Sequence, residues 1–351
     1  MTSIERVRTI LSGGTPDRPA LYDLLRNNAV LEYYSGKLLT EDTAGTIYSA
    51  IRHILDSTRS VRFPDVEGEE HRPDGTAIVR RQWTTWTRHQ RPPTVAEAEA
   101  GFHSRIHSLE KRLAGDTTSD EQDAQSVRAT IERILDKLGY DFAYFGPGYS
   151  PGLMTYTSYG LETFSYLLAE NPDLISRFLE LNTELNVRRI ACLDIADISP
   201  GVFVGEDIAY KGTTIFSPAY LRQEFMPRLE RIVDAYHQRG IAVMFHSDGD
   251  LMAILDDLVA VGVDILNPVE TIAGMDVAEI RKRHKHLVLA GAIDVSQLLP
   301  FGTPQEVASE TRKLIEVAGP GVLVGSTTEL HNDVPLENFK AMADTVRSYR
   351  Y

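Results

Sequence analysis

Five times between residues 201 and 329 a short apolar run, rich in valine and isoleucine, ends abruptly in polar residues. The runs are GVFVGED (201–207), IAVMFHSDGD (241–250), VDILNPVE (263–270), LVLAGAID (287–294) and GVLVGSTTE (321–329). Continuous apolar runs of this length predict strands buried on both faces, the environment of a parallel sheet covered by helices. Helical patterns separate them: SPAYLRQEFMPRLERIVDAYHQRG, DLMAILDDLVAVG, DVAEIRKRHK and TPQEVASETRKLIEVAG. Ser217–Pro218 and Thr303–Pro304 mark helix starts, and Gly240, Gly262 and Gly319 mark stops. Alternation of this kind requires βα units.

The earlier half supplies three weaker strands, PALYDL (19–24), SVRFPDV (60–66) and DFAYFGPG (141–148). Three and five make eight, the number that closes a (β/α)8 TIM barrel. A single domain over 1–351 is expected, with 76–135 as an insertion after the second strand. Within it, TAIVRRQWTTWTRHQR (76–91) alternates like a hairpin, and helices follow with a polar break at AGDTTSDEQDAQ. Trp83 and Trp86, three apart on that hairpin, fall on opposite faces and are expected to serve packing.

The net charge of −14 argues against nucleic acid or an anionic membrane as the main partner, although a local pocket can differ in sign. The lone cysteine, Cys192, forbids an intrachain disulfide or a thiolate zinc cluster and suits a reducing cytoplasm. MTSIERVRTILSGG reads as an amphipathic helix rather than a signal peptide, and no apolar run reaches membrane-spanning length. A cytoplasmic protein is expected.

In a parallel barrel, chemistry gathers at the carboxyl ends of the strands. The polar residues expected there are Asp23, Arg26, Asp65, Tyr144, Glu206, Asp207, His246, Asp248, Asn267, Glu270, Asp294, Thr328 and Glu329. For each of them a helix cap or a loop hydrogen bond is the competing explanation. The loops GPGYSPG and HSDGD lack nucleotide-binding spacing. Tyr149, Tyr156 and Tyr159 follow the third strand, where they line a pocket or pack the loop. His284 and His286 sit at the amino end of a strand, away from any site.

His246 and Asp248 stand out. Strand alternation that turns Phe245 into the packing turns His246 towards the barrel mouth, and Asp248 follows if the strand geometry persists. Two ligands at i and i+2 chelate one divalent ion; imidazole with carboxylate suits zinc, or iron or manganese with more oxygens. Glu329 or Glu270 would then complete the set. Two alternatives stay open: Asp248 as the cap of the helix starting near Asp250, and His246 as an acid or base without metal.

Three segments carry a family resemblance: FSPAYLRQEFMPRLERIVDAYHQRGIAVMFHSDGDLMAILDDLVAVGVDILNPVE, AGAIDVSQLLPFGTPQEVASETRKLIEVAGPGVLVGSTTELHNDVPLENFKAM, and the GED of 205–207. They resemble the uroporphyrinogen decarboxylase superfamily, which includes the porphyrin-pathway decarboxylase and zinc-dependent methyltransferases that exchange methyl groups with a corrinoid protein or a thiol. The resemblance is specific over about 200–345 and implies a (β/α)8 barrel with its site in the mouth. The chain departs from both branches. Where the decarboxylase has an arginine-rich segment stands YDLLRNNAVLEYY, with Arg26 alone. Where the methyltransferases have a histidine and two zinc cysteines stand His246, Asp248 and Thr328.

The expectation is therefore a methyltransferase moving a methyl group between a small methylated substrate and a corrinoid carried by a partner protein. Its divalent metal, zinc by the resemblance, would sit on His246, Asp248 and Glu329; Asp207, His246 and Tyr156 would be catalytic. Asp23, Arg26, Tyr144, Tyr149, Tyr159, Asn267 and Glu270 would bind substrate. A decarboxylase of a small carboxylated ring and a non-catalytic corrinoid or tetrapyrrole binder are the alternatives, and a homodimer is open.

Overall fold

The computed structural model of the chain describes residues 1–72, 75–88 and 91–351. Seven strands form one parallel sheet. In spatial order they are Ala20–Leu21, Val322–Ser326, Val288–Ile293, Ile265–Asn267, Ala242–His246, Gly201–Gly205 and Gly146–Pro147. A further parallel pair joins Ser57–Thr58 to Ala143–Tyr144. One of its strands runs on directly into Gly146–Pro147, and Ser57 bridges Tyr22 in parallel, next to the opposite edge of the sheet. All five C-terminal strands lie within the runs read from the sequence.

Side-chain parity sorts the sheet into two clusters. Tyr22, Leu24, Ala143, Phe145, Met244, Ile265, Val288, Ala290 and Leu323 pack together on one face, with Phe203 against them. Their neighbours Leu21, Val202, Val204, Val243, Phe245, Leu266, Leu289, Val322 and Val324 belong to the larger cluster that includes the helices. Burial on both faces is why these strands read as continuous rather than alternating. The N-terminal helix Ser3–Leu11 starts with a capping box between Thr2 and Glu5 and inserts Val7 and Ile10 into the first cluster. It closes the amino end of the sheet, so the carboxyl end is left for function.

The second strand is a correction. SVRFPDV is not a strand; the pairing residues are Ser57–Thr58, three positions earlier, and 61–67 leads away as irregular chain. The insertion begins with an antiparallel sheet of three strands, not two: Gly68–His71, Ala77–Arg81 and Thr84–Arg88. Gly68–His71 is polar and fully exposed, so no apolar pattern marked it. Residues 89 and 90 of the expected hairpin lie outside the described residues. Trp83 sits in the turn, buried, its indole donating to Asn28 Oδ1 at 2.9 Å, while Trp86 is exposed on the strand. Helices Val95–Ala114 and Thr118–Leu138 follow and break at Gly115, as the polar stretch predicts. Among the described residues no helix is long and apolar enough to cross a membrane.

Candidate metal-binding site in the sheet mouth

His246 is the last residue of Ala242–His246 and shares the face of Met244, while Phe245 turns outward against Phe225. The side-chain alternation expected from the sequence is thus what places the imidazole. The next strand, Ile265–Asn267, is in register so that His246 and Asn267 are direct partners. Asn267 Oδ1 accepts from His246 Nδ1 at 2.9 Å, which fixes the proton on that nitrogen and leaves Nε2 with a free lone pair.

Nε2 faces two carboxylates: Asp207 Oδ1 lies 3.6 Å away and Asp248 Oδ1 3.9 Å away. One ligand atom from each of Asp207, His246 and Asp248 falls within 4.8 Å of the others. The backbone N–H of Asp248 donates to Asp207 Oδ1 at 3.4 Å, tying the two acids together. Burial, with the Arg59 charge, holds the imidazole well below its ordinary pKa, so it is neutral at pH 7. Burial and then the neighbouring charges of Asp207 and Glu270 push the Asp248 carboxyl up to about 7.

The helix-cap explanation for Asp248 does not hold. The capping bond belongs to Asp250, whose Oδ1 accepts from Met252 N at 2.9 Å. Asp248 Oδ1 is buried without any hydrogen-bond partner among the described residues. Such an atom costs on the order of 1–3 kcal/mol unless something occupies it. A divalent cation on mixed nitrogen and oxygen donors satisfies it, and the neutral Nε2 and two carboxylates match that chemistry.

The surrounding loops are held by backbone-directed bonds. Gly249 has φ +96°, and a Cβ there would lie 2.4 Å from Tyr210 N, so only glycine fits the turn after Asp248. Glu270 Oε2 accepts from Gly249 N at 2.8 Å and Asp250 N donates to Tyr210 O at 3.0 Å, fixing that turn from two sides. Glu206 is fully buried and points away from Asp207 into the loop at 152–154. Its carboxylate accepts from Gly152, Leu153 and Met154 N–H at 2.5, 3.1 and 2.6 Å. Burial raises its pKa, against the pull of these bonds.

The other expected site residues separate into those near the triad and those spent elsewhere. Tyr156 reaches it through the backbone, its hydroxyl donating to Asp207 O at 2.9 Å, with its ring against Phe164 and Phe216. Arg26 and Glu329 form an ion pair of 2.5 Å, so Glu329 faces a guanidinium, and the residue that clusters with His246 and Asp248 is Asp207. Asp23 is buried, with its acceptors engaged by Leu24 N, Ser326 N and Ser326 Oγ at 2.8, 3.0 and 2.7 Å. Asp65 pairs with Arg62 and accepts from Thr85 Oγ1, tying the loop to the inserted sheet. Asp294 caps the turn at 296–298.

The contacts of Tyr144, Tyr149 and Tyr159 lie away from the triad. Tyr144 has the outward parity, between Ala143 and Phe145 of the inner cluster, and packs among the helices, where burial lifts its pKa to about 12. The Tyr149 backbone N–H donates to the Tyr236 hydroxyl at 2.6 Å, and its ring lies 5.5 Å from the Arg189 guanidinium. Tyr159 lies on Phe102 and its hydroxyl accepts from Arg105 Nε at 3.3 Å. Of these loop tyrosines, Tyr156 is the one bonded to a triad residue.

One residue escaped the sequence reading. Arg59 follows the Ser57–Thr58 strand directly, its guanidinium 3.8 Å from the Phe203 ring centre, and that ring lies 5.0 Å from the His246 ring. Placing the second strand three residues late put Arg59 before it instead of at its carboxyl end.

Comparison with known proteins agrees with this architecture. The model of the family described as "Uroporphyrinogen decarboxylase (URO-D)" matches residues 96–349. Methylcobamide:CoM methyltransferase MtbA of Methanosarcina mazei is 20% identical over 231 residues. That alignment covers 64% of this chain and 64% of the relative, a little under two thirds of its length. A solved structure titled as a methyltransferase from Methanosarcina mazei superposes with a TM-score of 0.68 at 18% identity, over 99% of this chain and 98% of the other. At that identity the likeness shows a shared fold.

Proposed function

The chain belongs to the uroporphyrinogen decarboxylase family, and from that premise we propose a methyltransferase whose mouth site holds a divalent cation on Asp207, His246 and Asp248. The observation that carries this reading is the buried, unpartnered Asp248 Oδ1 facing a neutral histidine nitrogen. The likeness to a methyltransferase acting with a methylcobamide supports methyl transfer between a small methylated substrate and a corrinoid carried by a partner protein. As part of the same reading the strands close as a single-domain (β/α)8 barrel, supported by the Tyr22–Ser57 bridge, which links one edge of the sheet to the strand pair that runs on into the other.

Asp207, His246 and Asp248 would hold the cation, zinc in the simplest case, and bound there it would supply Lewis acidity towards a substrate heteroatom. The protein's own groups do the rest. Asn267 keeps the His246 proton on Nδ1. The Tyr156 hydroxyl holds the Asp207 backbone, and Glu270 with Gly249 fixes the turn that presents Asp248. With the carboxylates of Asp207 and Asp248 and no thiolate, the donor set is harder than a two-thiolate one and suits an ether oxygen or an amine nitrogen rather than a thiol. The methyl group leaves without its bonding electrons, which stay on the substrate heteroatom, and the reduced corrinoid of the partner would supply the electron pair of the new methyl–cobalt bond.

A decarboxylase of a small carboxylated ring is the second reading, favoured by the guanidinium groups of Arg26 and Arg59 on the same side of the mouth. Purified protein incubated with methylcobalamin and a panel of small thiols, amines and alcohols tests the first reading. Acceptor-dependent loss of the methyl–cobalt absorption, abolished by His246→Ala, is expected. Carbon dioxide release from ring carboxylic acids without any methyl transfer would replace it with the second. Tight corrinoid binding with neither reaction would leave a binder.

A further inference from the structure

We propose a second ligand site at the amino end of the sheet, a basic cleft that takes a phosphate group, free or on a phosphorylated small molecule. It stands apart from the triad of Asp207, His246 and Asp248, which opens at the carboxyl end.

Chain order fixes the position. Arg18 precedes the strand Ala20–Leu21, Leu55 and Asp56 precede Ser57–Thr58, and Asp141 precedes Ala143–Tyr144. Three helices also end here, Thr43–Ile54, Thr118–Leu138 and Leu336–Ser348, with Arg52, Lys137 and Arg347 in their last turns. Together these residues line a cleft of about 600 Å³, within the range of small-molecule sites.

The charges in this wall do not balance. Five permanent cations, Arg6, Arg18, Arg52, Lys137 and Arg347, face two carboxylates, Asp56 and Asp141. Asp56 is buried and shared: Arg6 Nη1 lies 2.7 Å from its Oδ1 and Arg18 Nη1 2.6 Å from its Oδ2. Arg6 has a further acid in Asp17, which the Met1 amine also reaches, and Arg52 pairs with Asp141 at 2.6 Å. Among the described residues Lys137 and Arg347 make no ion pair. Even with Asp17 counted and the amine left aside, two positive charges are left over, in a chain whose net charge is −14. Arg133, Asp136 and Asp344 flank the cleft but lie outside its wall on exposed positions, where salt screens them.

Basic residues are common at helix ends, where the backbone is partly negative. Here each end also has a backbone N–H on one of its carbonyls: Leu55 N donates to Ile51 O, Gly139 N to Leu135 O and Tyr349 N to Thr345 O. The helix ends therefore account for part of the side-chain charge and not for its gathering in one cleft. A phosphate, close to doubly charged at pH 7, matches the surplus. Arg52 and Arg347 offer planar forks and Lys137 a point charge, the donor types that phosphate oxygens take. Tyr48 and Ser49 line the same cleft, and among the described residues their hydroxyls make no hydrogen bond, which adds two donors.

Isothermal titration calorimetry on the full chain without added metal, with inorganic phosphate, glycerophosphate and neutral glycerol as probes, tests this. At least one phosphate probe is expected to bind saturably, and glycerol is not. Lys137→Gln and Arg347→Gln should each weaken that probe about tenfold, the loss of one charge-assisted contact. Arg26→Gln, in the mouth, should leave it unchanged. Lys137 and Arg347 are both exposed, so their variants keep the fold and should melt with the parent when no phosphate is present. The bound probe should raise the melting temperature of the parent but not of the double variant. Glycerophosphate ahead of inorganic phosphate assigns a phosphorylated small molecule, and the reverse order the free anion. No saturable binding of either phosphate, binding that survives the double variant, or binding lost in Arg26→Gln instead overturns the inference.

Discussion

His246 and Asn267 are register partners on adjacent parallel strands, and one hydrogen bond of 2.9 Å between them decides which imidazole nitrogen is offered to Asp207 and Asp248. Asn267 was expected to bind substrate; its amide oxygen is instead committed to the histidine, so its contribution passes through His246. Asn267→Leu is expected to weaken metal binding by roughly 10–100-fold, the usual loss when the outer partner of a ligand histidine is removed. Competition with a chromogenic chelator measures it. Affinity equal to that of the unaltered protein would show that the pairing does not set the tautomer.

Among the described residues Glu206 supplies the only side-chain acceptors for three successive backbone N–H groups at 152–154, the loop that also carries Tyr156. Glu206→Gln replaces an acceptor oxygen by a donor facing one of those N–H groups. It should lower unfolding free energy by about 2–3 kcal/mol and open the loop to proteolysis. Urea titration with limited trypsin or chymotrypsin digestion reads both effects. A midpoint within error of the parent would mean that water replaces the carboxylate at no cost.

Asp23 gives a pH signature. Burial, the largest cause, raises its pKa from 3.8 to about 6, against the hydrogen bonds from Ser326 and Leu24. A carboxyl with a raised folded pKa binds its proton more tightly folded than unfolded, so its contribution is fullest below pH 3.8 and is lost as pH rises through about 6. The loss is on the order of 3 kcal/mol. Asp23→Asn is less stable than the parent at low pH, because one N–H loses its acceptor, but should lack this component, so the gap between the two narrows from pH 4 to 6. Urea titrations of both proteins across that window check it; parallel pH profiles would contradict the assignment.

The sequence made the C-terminal strands legible because burial on both faces leaves unbroken apolar runs that end where the polar mouth begins. It placed His246 by parity alone. It misplaced the second strand because Ser57–Thr58 is two small polar residues, buried yet carrying no apolar signal, whereas VRF beyond it does. That slip concealed Arg59. Residue type alone puts Tyr144 in the site, whereas parity gives the inner face to its neighbours Ala143 and Phe145. From sequence alone Asp207 takes a catalytic role and Glu329 the place of the third ligand. The Arg26–Glu329 ion pair that separates them joins residues 303 apart and has no local sequence signature.

The cation site is tested most directly by metal content. After dialysis against equimolar zinc and gel filtration, elemental analysis of the parent protein should return close to one zinc per chain. His246→Ala, Asp248→Ala and Asp207→Ala should each lose most of it, and Glu329→Ala should keep it. A folded parent protein that retains no zinc, cobalt, manganese or iron would contradict the site, and so would Glu329→Ala losing metal while Asp207→Ala keeps it.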